Sequence, residues 1–149
     1  MIKISLPDGS VRELDEGSSG LDLAKSISHG LAKAAVAASI NEKIVDLSTA
    51  LSDGDTVSLI TKKDKDGLEV LRHSAAHLMA DAILRLYPKA QLTIGPVVED
   101  GFYYDIYLPE GKIAPEDFPK IEKEMARIVK QSHPFQCHKA TYDEANEHY

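Results

Sequence analysis

Apolar and polar positions alternate at the start of the chain and then change period several times. Ile2, Ile4 and Leu6 alternate with polar residues, Pro7-Asp8-Gly9-Ser10 is a turn, and Val11 to Leu14 returns, which predicts a hairpin. Leu21, Ala24 and Ile27 then recur at helical spacing, behind serines between Gly17 and Gly20 that can cap a helix, and His29-Gly30 supplies a stop. Ala34 to Ile40 reads as a strand that Asn41-Glu42 turns into Ile44-Val45. After a turn at Ser52 to Asp55, the β-branched run Val57 to Thr61 reads as another strand. Two strands, a helix and further strands within about 60 residues is the order of a β-grasp, ubiquitin-like unit.

The charged segment 61–67, TKKDKDG, reads as a linker. A long helix follows from about Leu68 to Leu86, with Leu71, Ala75, Leu78 and Ala82 as its apolar stripe and Tyr87-Pro88 as its end. Leu92 to Val98 and Phe102 to Leu108 read as two strands joined at Asp100-Gly101. Pro115, with Glu116 and Asp117, opens another helix whose stripe is Phe118, Ile121, Met125 and Ile128. Thr141 and Glu144 form a capping box for a last helix. The sequence stops about two turns later, at Tyr149, which is expected of a fragment. The fold class is therefore α+β in two small units, 1–62 and 68–149, joined by a linker at 63–67. The second unit is expected to lack part of its sheet and to expose strand edges.

Composition narrows the function. With 43% hydrophobic and 28% charged residues the chain is ordinary for a globular protein. No apolar run reaches the roughly 20 residues of a membrane helix, and no secretory signal opens it, so a cytoplasmic chain is expected. The single cysteine, Cys137, cannot form an internal disulfide. A net charge of −7 argues against an autonomous basic nucleic-acid binder, so any RNA contact is local and modest. Lys62, Lys63 and Lys65 could touch phosphates, but Asp64 and Asp66 interleave with them and favour a solvated segment. No glycine-rich nucleotide-binding loop is present.

Chemistry concentrates in His73-Ser74-Ala75-Ala76-His77. Histidines four apart on a helix lie about 40° apart on one face, and imidazole relays protons near neutral pH or binds metals. The expected stripe lies nearly opposite, so both rings are expected to face a cleft; a pair of solvated surface histidines is the alternative. A zinc site needs three or four ligands. His133, Cys137 and His138 could add some, but nothing in the sequence brings them near His73, so no metal site is expected. Gly95-Pro96 and Phe102-Tyr103-Tyr104 can line a pocket or simply pack. Strand alternation sends Phe102 and Tyr104 to one side and Tyr103 to the other.

These residues resemble a known family. L-P-D-G-S, G-L-A-K-A and I-N-E-K-I-V-D-L resemble the TGS domain of bacterial-type threonyl-tRNA synthetases. L-R-H-S-A-A-H-L-M-A at 71–80, then I-G-P-V-V-E-D-G-F-Y-Y-D at 94–105, resemble the start of those enzymes' editing domain. The resemblance implies part of a threonine–tRNA ligase that charges threonine tRNA using ATP and hydrolyses mischarged seryl-tRNA. His73 and His77 are then half of the editing site, and Gly95 and Tyr104 its pocket residues. The family completes this site with a later Cys-x-x-x-His pair, which Cys137-His138 is not. The class II core, where ATP and a zinc ion are expected, and the anticodon-binding domain are absent from this sequence, so no cofactor is expected within it. The implied partners are the tRNA acceptor arm and a second copy of the parent enzyme through that core, with no membrane. The fragment alone is expected to be inactive. The competing reading is a freestanding TGS-containing module that binds RNA or a partner without catalysis. A β-grasp sulfur carrier is disfavoured by the N-E-H-Y ending, which lacks a Gly-Gly tail.

Overall fold

The computed structural model describes residues 1–136 and 138–148, and Cys137 lies outside them. Two compact units result: Met1–His77 with Leu92–Ile106, and Leu78–Gln91 with Tyr107–Tyr149.

In the first unit, strands β1 (Ile2–Ser5) and β2 (Val11–Leu14) form the expected hairpin, in register from Ile2↔Leu14 to Ser5↔Val11. Helix α1 (Gly20–Ile27) begins at Ser19, whose hydroxyl and backbone exchange hydrogen bonds with Asp22 in a capping box. His29-Gly30 does not stop the helical region as expected. Ser28 is extended, closes α1 by donating its N–H to the Ala24 carbonyl, and caps a second short helix, α2 (His29–Ala34), by accepting from the Leu31 N–H. One serine does both jobs, so the break falls a residue before the glycine signal.

Strands β3 (Ala35–Ile40), β4 (Lys43–Val45) and β5 (Val57–Thr61) form an antiparallel sheet ordered β4-β3-β5. Asn41 and Glu42 both have positive φ, 49° and 68°, the geometry of a two-residue hairpin turn. The Asn41 side chain holds that turn by donating to the Asp55 carboxylate and accepting from the Thr56 N–H. A parallel bridge from Ser5 to Thr56 joins β1 to the start of β5. Mixed strands with a helix across them fit a β-grasp. Its core is Ile2, Ile4, Leu23, Ala38, Leu51 and Val57, of which Ile4, Leu23 and Val57 are wholly enclosed.

Helix α3 (Lys65–Leu86) starts three residues earlier than the sequence suggests. Asp64 turns the charged segment into a capped start, since its carboxylate accepts from the Thr61 N–H at 2.7 Å and hydroxyl at 2.9 Å. The Thr61 carbonyl sits where a Cβ on Gly67 would stand, so this first turn needs a residue without a side chain.

The two expected strands after α3 form short ladders: β7 (Val97–Val98) with β8 (Gly101–Phe102), and β6 (Gln91–Leu92) with β9 (Ile106–Tyr107). Val98 pairs with Gly101, so the turn is Glu99-Asp100 rather than Asp100-Gly101. Between the ladders Asp105 bonds to both Thr93 and Ile94, one extra residue on that arm, and Pro96 has no N–H to give.

In the second unit, a 3-10 turn at Pro115–Asp117 leads into helix α4 (Phe118–Gln131), which buries Ile121 and Ile128. Helix α5 (Tyr142–His148) follows the expected capping box, with Thr141 and Glu144 bonded reciprocally. No helix among the described residues is long and apolar enough to cross a membrane.

Candidate functional site

The site is built from the first three turns of α3 and the hairpin that follows. One turn apart, His73 and His77 bring their Nε2 atoms to 3.1 Å, with ring centroids 4.6 Å apart and planes at 87°. Such a contact needs one nitrogen donating and the other accepting. A doubly protonated pair has no acceptor, so the geometry holds at most one extra proton. Burial, then the charge of His73, pulls the His77 pKa below the ordinary histidine value. Although its ring edge is exposed, neighbouring atoms displace enough water to disfavour the imidazolium.

The packing face of α3 differs from expectation. Leu71, placed in the apolar stripe, is 39% exposed, whereas Ala76 is 2% exposed and Ala80 and Ile83 are buried with it. At about 100° per residue this face lies beside the histidines rather than opposite them. Ala82, from the expected stripe, is buried as well. The rings therefore stand at the rim of a packed surface.

Facing them is the hairpin. His73, Ala76 and His77 from the helix enclose a cleft of about 370 Å³ with residues 93–96 and Tyr104. All four residues singled out from the sequence, His73, His77, Gly95 and Tyr104, meet in this one cavity. Extending the Val97↔Phe102 register by two residues puts Gly95 opposite Tyr104. The ring lies across the glycine, and a Cβ there would overlap it. Tyr104 and Phe102 are half-buried while Tyr103 is exposed, the alternation expected of the strand. His73 also borders a second cavity of about 470 Å³ with Asp66, Glu69 and Val97.

Two features escaped the sequence reading. Arg72 donates from Nη1 to the Glu99 carbonyl at 2.6 Å and so ties the helix to the hairpin turn. Thr93 donates its hydroxyl to the Asp105 carbonyl at 3.1 Å, which fixes the arm that lines the cleft. Arg72 sits next to His73 in sequence, but its partner lies 27 residues away and leaves no periodic signal.

Among the described residues no group of three or more His, Cys, Asp or Glu could hold a metal ion. His133 is exposed, and His138 lies 3.4 Å from the Gln136 side chain. His73 and His77 supply two imidazole donors, fewer than the three or four of an ordinary zinc site.

Comparison with known proteins adds the lineage. Residues 2–61 match the TGS domain family. Over 135 residues, 91% of this chain, it is 55% identical to a threonine–tRNA ligase of Desulfatibacillum aliphaticivorans. Over 147 residues, 99% of the chain, it is 46% identical to the threonine–tRNA ligases of Streptococcus gordonii and Streptococcus sanguinis. The chain spans 21% to 23% of the length of these relatives. With a TGS domain in front and this identity across nearly all of its residues, the chain matches the N-terminal region of threonine–tRNA ligases, about a fifth of their length.

Proposed function

We propose that the cleft between α3 and the hairpin is part of a hydrolytic proofreading site for serine wrongly esterified to threonine tRNA. The reading rests above all on the convergence of His73, His77, Gly95 and Tyr104 on one cavity. Ester hydrolysis needs a water poised at the carbonyl and a base to take its proton. A neutral His77 supplies that base, and its low pKa keeps it neutral near pH 7. His73 fixes its orientation and shares the proton through the Nε2 contact. The water oxygen bonds to the ester carbon, the carbon–oxygen bond to the ribose breaks, and the imidazolium returns its proton to the departing ribose oxygen. A cavity of about 370 Å³ suits a small aminoacyl group.

Such a site has a physical motive. A synthetic pocket that recognises threonine by its hydroxyl also accepts serine, because the missing methyl is worth only about 1–3 kcal/mol. In this reading residues 68–149 are the first part of an editing domain. Its remaining residues, the ATP- and zinc-dependent charging core and that core's dimer contact belong to the parent enzyme, with the tRNA acceptor arm as substrate. The chain alone then hydrolyses seryl-tRNA poorly.

The test is hydrolysis of seryl-tRNA by a full-length ligase that carries this sequence at residues 1–149. His73→Ala and His77→Ala are expected to slow it by about 10²–10⁴-fold while threonine charging is unchanged. Undiminished hydrolysis sinks the assignment of the histidines. Efficient His73-dependent hydrolysis by the 149-residue chain alone sinks the claim that the site is incomplete.

A further inference from the structure

We propose that the basic face of α4 docks on the sugar–phosphate backbone of RNA, outside the cleft, and so holds the nucleic acid while its 3′ end is processed. The proposal rests on the reading above that the chain acts on tRNA, and it adds a surface that does no chemistry.

The chain is acidic, with 17 Lys and Arg against 24 Asp and Glu, yet its cations are not spread evenly. Lys120, Lys123, Arg127 and Lys130 recur at intervals of three, four and three, which gathers them within about 80° of the helix circumference. All four are exposed. Together with Leu86 at the end of α3 they line a shallow groove of about 410 Å³. Glu124 is the acid on this face. Arg127 engages it through Nε at 2.9 Å and through Nη2, so one cation is neutralised and held in place. Lys123 and Lys130 have no ion pair among the described residues. Lys120 stands 5.2 Å from the centre of the Tyr87 ring and within Coulombic reach of the Asp117 carboxylate, which moderates its charge.

From Lys120 to Lys130 the helix rises about 15 Å, enough to span several phosphates of one strand. Lysine ammonium groups are point charges without the planar fork that reads base edges, so the face suits backbone contact without sequence readout. A lipid surface is the competing anion, since Phe118 and Val129 are exposed on the side of α4 away from these cations, and binding to anionic vesicles separates the two.

The experiment is binding of the 149-residue chain to a short RNA hairpin with a single-stranded 3′ tail, followed by fluorescence anisotropy across a salt series. Replacing Lys120, Lys123 and Lys130 together by Gln is expected to weaken low-salt binding by about tenfold or more and to reduce the log–log salt slope by about 2–3. Glu124→Gln frees Arg127 and is expected to tighten binding, a gain that a misfolded protein cannot give. Unchanged affinity and slope in the triple variant overturn the proposal. Equal or tighter lysine-dependent binding to polyglutamate or to phosphatidylglycerol vesicles overturns it too, since the face would then be a general anion surface. Lysine-dependent RNA binding in a protein whose seryl-tRNA hydrolysis ignores His73→Ala supports the face and removes the editing reading. His73-dependent hydrolysis with lysine-independent binding does the reverse.

Discussion

Residues 2–61 and the hairpin at 91–107 are both β structure, but they are built on different principles. In the first region strands of three to six residues pair in ladders broken only by one register shift between Ala35 and Ala37, and helix α1 lies over a core in which Ile4, Leu23 and Val57 exclude water completely. In the second, four strands of two residues each alternate with irregular backbone. Not one of its side chains is fully enclosed, and its best-fitted contact is an aromatic ring over a glycine. The first region uses its apolar residues to hold itself together. The second leaves backbone and aromatic surface around a cavity, and relies on Arg72, Thr93 and the Gly95–Tyr104 fit to keep that cavity open. Stability and site are allotted to different stretches of chain.

The sharpest way to break this contrast is to hollow the β-grasp core. Ile4→Ala removes a fully buried side chain and is expected to cost about 2–5 kcal/mol, read as earlier urea unfolding of amide signals from residues 2–61. Signals from 91–107 should keep their own transition. If both sets shift together, the hairpin draws its stability from the same core and the contrast fails. A smaller effect is expected from Gly95→Ala. The added methyl meets the Tyr104 ring, and such overpacking costs about 1–3 kcal/mol. Here the hairpin signals and the Tyr104 ring resonances should move while residues 2–61 stay put. An unperturbed Tyr104 would mean that the ring is free to swing away and does not define the cleft.

The same contrast explains what could be read from sequence. The β1–β2 hairpin is legible to within one residue, β1 ending at Ser5 rather than Leu6, because alternation and a Pro-Asp-Gly turn agree, and the β-branched run of β5 is legible in full. The capping box at Thr141 and Glu144 was equally plain, since both partners are local. The start of α3 was not, because a charged run ending in glycine looks like a linker unless the Thr61–Asp64 bonds are known. The packing face of α3 is only partly legible, because alanine is a weak signal. Leu71 reads as part of the buried side, but it is 39% exposed while Ala76 and Ala80 are buried. The hairpin's broken ladders follow from Pro96 and from the doubled contact at Asp105, and only the proline is visible in sequence. His73, His77, Gly95 and Tyr104 were all named from local pattern and resemblance. Their meeting depends on Arg72 reaching Glu99, a contact that periodicity cannot encode.

The gentlest test concerns water at the cleft rather than its construction. If the hairpin shields His77, its pKa lies below the ordinary histidine value near 6.5, first from desolvation and second from the charge of His73. A ¹H NMR titration of the His77 ring should show a depressed midpoint. His73→Gln removes the second cause while keeping bulk in the cleft, so the midpoint should rise part of the way and remain below the ordinary value. The sign for stability follows. Below the ordinary value the unfolded chain takes up a proton that folded His77 resists, so unfolding becomes easier as pH falls through that window. Above it the group contributes no such penalty, and stability from this source is flat. Seryl-tRNA hydrolysis in the full-length ligase should decline on the acid side of the folded midpoint, because an imidazolium has no lone pair for the water's proton. A midpoint at or above the ordinary value would mean that bulk water reaches the ring freely. The cleft would then be no drier than an ordinary loop, and the difference between the two regions would be one of packing alone.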